Sequence, residues 1–187
     1  MNRMEWREKK KTNAKKELLE WGKVIVISVI AALIITTFVK PTLVEGESMY
    51  PTIGEHDYLI VNCLSYLGES PQYGDIIVFE TQMKTDEGKD KNLIKRVIGL
   101  PGDVISVREG KVIRNGQVLE EPYINGDYTP GDVEEITVSE HHVFVLGDNR
   151  PNSLDSRSEQ VGLVDYEDIV GNVLVRLFPL DRIGGVK

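Results

Sequence analysis

Ser48 in "GESMYPT" (46–52), Lys95 in "LIKRVIG" (93–99) and Ser153 in "GDNRPNSLDSR" (147–157) are the residues whose type and setting could carry a reaction. A serine hydroxyl becomes a nucleophile only with a partner to take its proton. The usual partner is histidine, and the chain has three. His141 and His142 are adjacent at the start of an expected strand. Successive side chains there point to opposite faces, so the two cannot serve one site as a pair. His56 stands in "GEHDYL" before another strand, and none of the three has the surroundings of a general base. No His, Cys or Asp cluster has ligand spacing, so neither a metal nor another cofactor is expected. The single Cys63, within "YLIVNCLSYL", excludes an intrachain disulfide and reads as a small buried hydrophobe.

Lysine remains. Lys95 interrupts an apolar run, with Leu93, Ile94, Val97 and Ile98 around it. On a strand it shares a face with Leu93 and Val97 while Arg96 points the other way. A lysine so placed is either an edge-strand guard or a buried functional amine. At its ordinary pKa of ~10.4, about one lysine in 2,500 is neutral at pH 7. Holding it neutral there needs a pKa at least ~3.4 lower, which is ~4.6 kcal/mol, and full burial is known to achieve this. A carboxylate beside the amine would undo the effect. Ser48 faces a similar choice between a turn hydroxyl bonded to nearby backbone and a nucleophile. In "VFVLGDNRPNSLDSR" (143–157) an apolar strand runs into Gly147-Asp148-Asn149-Arg150, and then Ser153, Asp155 and Arg157 fall at alternate positions. "GDNR" by itself is a plausible tight turn.

The elements that must hold these residues are legible in outline. The chain has 187 residues, enough for one well-packed domain and an appendage. Val24–Val39 is a run of 16 uncharged residues, at the short end of the ~17–25 that cross a bilayer. Lys23 and Lys40 flank it and can snorkel, and Trp21 suits an interfacial anchor. A cleaved signal peptide would need a better small-x-small site than Val44-Glu45-Gly46, so an uncleaved anchor is expected. Of 22 Lys/Arg and 30 Asp/Glu in all, residues 1–23 hold eight and four, a net +4. The other 14 basic and 26 acidic residues give the rest a net −12. The leader is therefore placed in the cytoplasm and the acidic body outside. Such a body argues against a nucleic-acid partner. Residues 40–187 read as short strands: "TLVEG", "DYLIVNCL", "DIIVFETQ", "NLIKRVIG", "DVISVRE", "KVIRNGQVLEE", "EEITVS", "HVFVLG" and "NVLVRLF". Asn115-Gly116 is a hairpin signal of type I′. A mobile polar loop is expected over 81–92, and "VDYEDIVG" reads as holding one short helical turn. The fold class is mainly β, an antiparallel β-rich domain behind one N-terminal transmembrane helix.

Taken together, "SMYPT" (48–52), "KRVIGLPGD" (95–103) and "GDNRPNSLDSR" (147–157), in this order behind an anchor, resemble the bacterial type I signal peptidases, membrane-anchored Ser/Lys proteases. The resemblance covers nearly all of residues 20–180. It implies Ser48 as nucleophile, Lys95 as the general base that later protonates the leaving amine, and Ser153 as the hydroxyl orienting that amine. It also implies that the Ser48 backbone N–H binds the oxyanion. Arg96, Asp148, Asp155 and Arg157 match positions that hold the site's loops by ion pairs. The family's fold is β-rich with its cleft facing the membrane surface. Some members carry a serine two residues before the nucleophile, where this chain has Gly46, so a second oxyanion donor is not identifiable. One anchor and no large insertion resemble the compact Gram-positive form.

That resemblance implies a membrane-bound serine endopeptidase that removes signal peptides from secreted preproteins after a small-x-small motif. Its partners are signal-bearing preproteins and the lipid bilayer. Nine residues separate Val39 from Ser48, at most ~30 Å of extended chain, so the serine is expected near the outer membrane surface, where such cleavage sites emerge. Extended substrate is expected to add as a strand along "LVEG". Two other readings compete. A self-cleaving Ser/Lys repressor-like domain would need a DNA-binding unit and an Ala-Gly bond, and the chain has no Ala-Gly dipeptide. An anchored β module would leave Ser48 and Lys95 inert.

Overall fold

The computed structural model describes residues 3–66, 68–85, 88 and 90–186, with side chains from residue 16 onward except those of 34, 35 and 37. The chain divides into two compact units, Met1–Phe38 and Val39–Lys187.

The first unit is one helix, α1 (Arg3–Phe38), running unbroken through the basic leader and the apolar run. Pro41 ends it: proline disfavours helical backbone at the residue before it and cannot donate into a helix. Among the described residues no helix is long and apolar enough to cross a membrane. The apolar run expected to do so includes residues 34, 35 and 37, whose side chains lie outside the description.

The second unit is antiparallel β, in two sheets. Its strands in order are β1 (Val39–Leu43), β2 (Tyr58–Asn62), β3 (Ile76–Lys84), β4 (Asp90–Gly99), β5 (Val104–Arg108), β6 (Lys111–Arg114), β7 (Gln117–Val118), β8 (Val133–Thr137), β9 (His142–Leu146), β10 (Val164–Asp165), β11 (Ile169–Phe178) and β12 (Gly184–Gly185). The larger sheet has the order β1-β2-β11-β3-β4-β9-β10, with β12 also on β11, and the smaller the order β7-β6-β5-β8. The β6–β7 hairpin turns at Asn115 and Gly116, with φ of 52° and 77°. Both central residues are thus left-handed, as a type I′ turn requires. The helical turn expected in "VDYEDIVG" is a single 3-10 turn, Tyr166–Asp168, capped by the Asp165 side chain on the Glu167 N–H.

Four expectations need correction. Residues 81–84 and 90–92 are paired strand, not loop, because the β3–β4 hairpin continues outward, with Lys84 against Asp90. The first strand begins at Val39 instead of Thr42, because the helix ends one residue before and Pro41 demands extended backbone. Cys63 is half-buried in the turn after β2, since the strand stops at Asn62. His141 also precedes the strand, at φ 60°, and packs its ring edge-on to Tyr166.

The β3–β4 hairpin positions the candidate site. The outer part of the hairpin is exposed or half-buried, whereas Ile76–Phe79 and Lys95–Gly99 are buried at every residue. Ile76 and Val78 join one apolar cluster with Val44, Met49, Ile53, Leu59, Val61 and Val173. Ile77 and Phe79 join another with Val97, Val143, Val145 and Val164. The sheet is covered on both sides there, and any polar side chain on β4 is drawn into dry surroundings.

Candidate active site

β4 lies between β3 and β9, with Lys95 opposite Ile77 and Arg96 between Ile76 and Leu146. That removes the edge-guard reading of Lys95, which is buried where β9 begins to pair with β4, at Arg96. Lys95 is only 2% exposed. Its Nζ lies 2.7 Å from Ser48 Oγ and donates to the carbonyl of Ile94 at 2.8 Å. Burial pushes the amine down to about 8 from an ordinary 10.5. Asp155 pulls it back up, Lys91 pushes it down, and Asp148 and Arg157 act in opposite directions more weakly. At pH 7 roughly one such amine in ten is neutral, several hundred times the fraction for lysine in water.

Ser48 sits in the loop between β1 and β2, in a turn closed by the Tyr50 N–H to the Glu47 carbonyl at 3.1 Å. The loop is pinned by Met49 and Ile53, both buried in the core. Among the described residues no group accepts a hydrogen bond from the Ser48 N–H. Gly46 has φ 89° with open space where a Cβ would stand. A serine in its place would have room, but its backbone would be strained there.

A third segment, the loop after β9, meets this turn. The Asn149 N–H donates to the Ser48 carbonyl at 3.0 Å and its side-chain amide to the Glu47 carbonyl at 3.0 Å. Asp148, fully buried, takes a bidentate pair from Arg96 at 2.9 and 2.6 Å and accepts from Thr52 Oγ1 at 2.5 Å. Arg96 also donates to the Gly74 carbonyl and lies 4.1 Å over the Tyr123 ring. Asp155 accepts the Gly147 N–H and pairs bidentately with Arg157 at 2.8 and 2.9 Å. Arg157 in turn holds the carbonyls of Pro130, Arg150 and Ser153. Ser153 Oγ is buried and finds no hydrogen-bond partner among the described residues. It packs against Gly147 so closely that a Cβ there would come within 2.2 Å of it and 2.5 Å of the Ser48 carbonyl. The structure therefore joins Ser48 to Lys95, Arg96 to Asp148 and Asp155 to Arg157, and draws no hydrogen bond from Ser153 to the amine.

Several residues of this framework were not singled out in the sequence. Thr52, Asn149 and Arg150 lie inside the quoted motifs but read there as turn formers. Buried Arg150 donates to Glu121, Thr129 and the Gly147 carbonyl. Nothing in the sequence pointed to Glu121.

Ser48 and Lys95 open onto a cleft of about 480 Å³, lined on one side by Thr42–Glu47 and on the other by Asp90–Ile94, with Asn152 and Leu154. β1 is the end strand of its sheet, so the border at Thr42–Leu43 has an unpaired edge.

Known proteins resemble this chain over most of its length. Residues 18–178 match the sequence model of the family described as signal peptidase, peptidase S26. Signal peptidase I of Bacillus licheniformis is 38% identical over 189 residues, 94% of this chain and 97% of its own. Signal peptidase I of Leptolyngbya laminosa is 43% identical over 173 residues, 89% of this chain and 83% of its own. A solved signal peptidase I from Enterococcus faecalis V583 is 34% identical with a TM-score of 0.45, covering 56% of this chain and 97% of that one. The chain belongs to the peptidase S26 family of signal peptidases. It is a hydrolase of the serine peptidase type.

Proposed function

We propose that this chain is a membrane-anchored endopeptidase that removes N-terminal signal peptides from secreted preproteins after a small-x-small motif, with Ser48 as nucleophile and Lys95 as base. The observation that carries the reading is the 2.7 Å contact between Ser48 Oγ and a lysine amine that is buried and lowered to about 8. In its neutral form the amine accepts the hydroxyl proton as Oγ attacks the scissile carbonyl. The tetrahedral oxyanion forms beside the unpartnered Ser48 N–H. Collapse expels the new amine, which takes its proton from Lys95, and leaves an acyl group on Oγ. Water, deprotonated by Lys95, then releases the signal peptide and restores the serine. Ser153, with its hydroxyl unbonded, is assigned to orient the amine once Ser48 leaves it. Arg96, Asp148, Asp155 and Arg157 hold the loops and take no part in proton transfer. No step calls for a metal or cofactor.

Residues 24–39 serve as the anchor, 1–23 as a cytoplasmic segment and 40–187 as the extracytoplasmic catalytic domain. Along α1, Val24, Ile25, Val26, Ile27, Val29 and Ile30 are all exposed, so the helix is apolar on every side, a pattern that lipid would satisfy. The catalytic unit has an apolar row of its own. Leu43, Tyr58 and Phe178 face one another across β1, β2 and β11 and are exposed, as are nearby Leu180 and Ile183. Such a row suits contact with a bilayer surface. Extended substrate adds along the free edge at Thr42–Leu43 and continues toward Ser48. The test is cleavage of a signal-bearing precursor by purified protein in detergent. Ser48→Ala and Lys95→Met should each abolish cleavage while thermal unfolding stays cooperative. Cleavage by either variant would overturn the assignment.

A further inference from the structure

The oxyanion donor proposed for this site is a backbone N–H, and a backbone N–H points wherever its peptide plane points. The Glu47–Ser48 peptide is trans, so its carbonyl and the Ser48 N–H point in opposite directions from one rigid plane. Whatever grips that carbonyl therefore aims the N–H. Two donors do so: the Tyr50 N–H at 3.1 Å, from within the same turn, and Asn149 Nδ2 at 3.0 Å, from 102 residues away. Two donors fill both lone pairs of the oxygen. The turn bond moves with the turn, whereas the Asn149 bond is referred to the rest of the protein.

Asn149 itself is well held. It is 7% exposed, and its own N–H donates to the Ser48 carbonyl at 3.0 Å, on the far side of the nucleophile. Its Oδ1 accepts from Asn125 Nδ2 at 3.3 Å, which fixes the amide with Nδ2 toward Glu47. The Asn125 N–H in turn donates to the Asp148 carbonyl. The carbonyls on both sides of Ser48 are thus tied to one residue, and the amide between them has no acceptor among the described residues. Gly46 supplies no hydroxyl to share the oxyanion, so correct aim of the Ser48 N–H matters more here than where a second donor is present.

We infer that Asn149 is a positioning residue for the oxyanion site: by holding the Glu47 carbonyl it turns the Ser48 N–H toward the cleft. This rests on Ser48 being the nucleophile, and it makes Asn149 important to the transition state while substrate binding is left unaffected. Loss of an oxyanion donor outright slows catalysis by ~10²–10³, and loss of aim with the turn bond retained should do less, about 10- to 100-fold.

The experiment uses the full chain in detergent with Asn149→Ala and the near-isosteric Asn149→Asp, which sets an acceptor against the Glu47 carbonyl. Kinetics on a signal-sequence peptide are measured beside inhibition by the same sequence ending in an aldehyde and in an alcohol. The aldehyde adds Ser48 Oγ to its carbonyl and places an alkoxide in the oxyanion site, whereas the alcohol binds without doing so. Asn149→Ala should lower kcat about 10- to 100-fold with KM within about threefold, and Asn149→Asp should lower kcat further. Both should weaken the aldehyde by a similar factor and leave the alcohol unchanged. In Asn149→Ala, which adds no charge, the acid limb of the pH profile, set by Lys95, should not move. An unchanged kcat, or equal weakening of aldehyde and alcohol, overturns the inference. Ser48→Ala run in parallel separates the two levels: if it is inactive while Asn149→Ala is fully active, only the role of Asn149 fails. If Ser48→Ala cleaves, the nucleophile assignment fails first.

Discussion

Lys95 and Arg96 are consecutive on β4 and both buried, yet their surroundings treat charge in opposite ways. Arg96 receives the carboxylate of Asp148 in two hydrogen bonds, a backbone carbonyl and the face of Tyr123. A guanidinium cannot shed its proton, so its burial requires a paired anion. Lys95 has no carboxylate within ion-pair distance among the described residues, and its amine meets a hydroxyl and a carbonyl. The carboxylates nearest in effect, Asp155 and Asp148, are already committed to Arg157 and Arg96. Asp155, and more weakly Asp148, still favour the charged amine, but neither is paired with it and desolvation prevails. One strand thus supplies a cation that keeps its charge to join loops and a cation made ready to lose it. What separates them is where the carboxylates are spent.

Changing these surroundings gives effects of graded size. Lys95→Arg puts a permanent cation where a neutral amine is required, and precursor cleavage should fall at least ~10³-fold. Appreciable turnover by that variant would remove the general base. Asp148→Ala strands Arg96 in a dry site and should destabilise the fold by about 3–5 kcal/mol, on the order of 10 °C in Tm by calorimetry. A change under ~1 kcal/mol would mean that the Arg96 pair is replaceable. Lys95→Met should act in the reverse sense. Because the folded amine titrates near 8 and the unfolded one near 10.5, the folded state binds fewer protons between those values, and wild-type stability rises with pH across that window. The methionine variant should therefore be more stable by about 3 kcal/mol at pH 7, with the advantage fading from pH ~8 and gone above pH ~10.5. Denaturant unfolding at both pH values decides it. Smallest is the pH dependence of kcat/KM in the wild type. It should rise ~50-fold from pH 6 to 8 as Lys95 loses its proton, then level off, and a flat profile would argue against an amine base.

Much of the fold could be read in advance because its signals are local. Apolar runs marked β2 and β9, a two-residue Asn-Gly turn marked the β6–β7 hairpin, and Pro41 marks the helix end. Misreadings came where pairing outweighed composition. The polar stretch 81–92 resembles a loop, but β3 and β4 extend into it once their bases are clamped in the core. Cys63 looked interior because its neighbours are apolar, yet the strand had already ended. For the site, Ser48, Lys95 and Ser153 could be selected by residue type and family motif, whereas Thr52, Asn149 and Glu121 carry no distinctive type and were passed over. That β4 is interior, which decides how Lys95 is read, depends on β9 arriving from more than forty residues away.

By itself the sequence determined which side chains were available and which stretches would be extended, because side-chain chemistry and periodicity are properties of a few neighbouring residues. Only the tertiary structure decided that Ser48 and Lys95, 47 residues apart, meet at 2.7 Å at the foot of a cleft, with the amine buried. It likewise decided that Asp148 and Asp155 are already paired with Arg96 and Arg157, since register and burial arise from contacts between segments that no local pattern encodes.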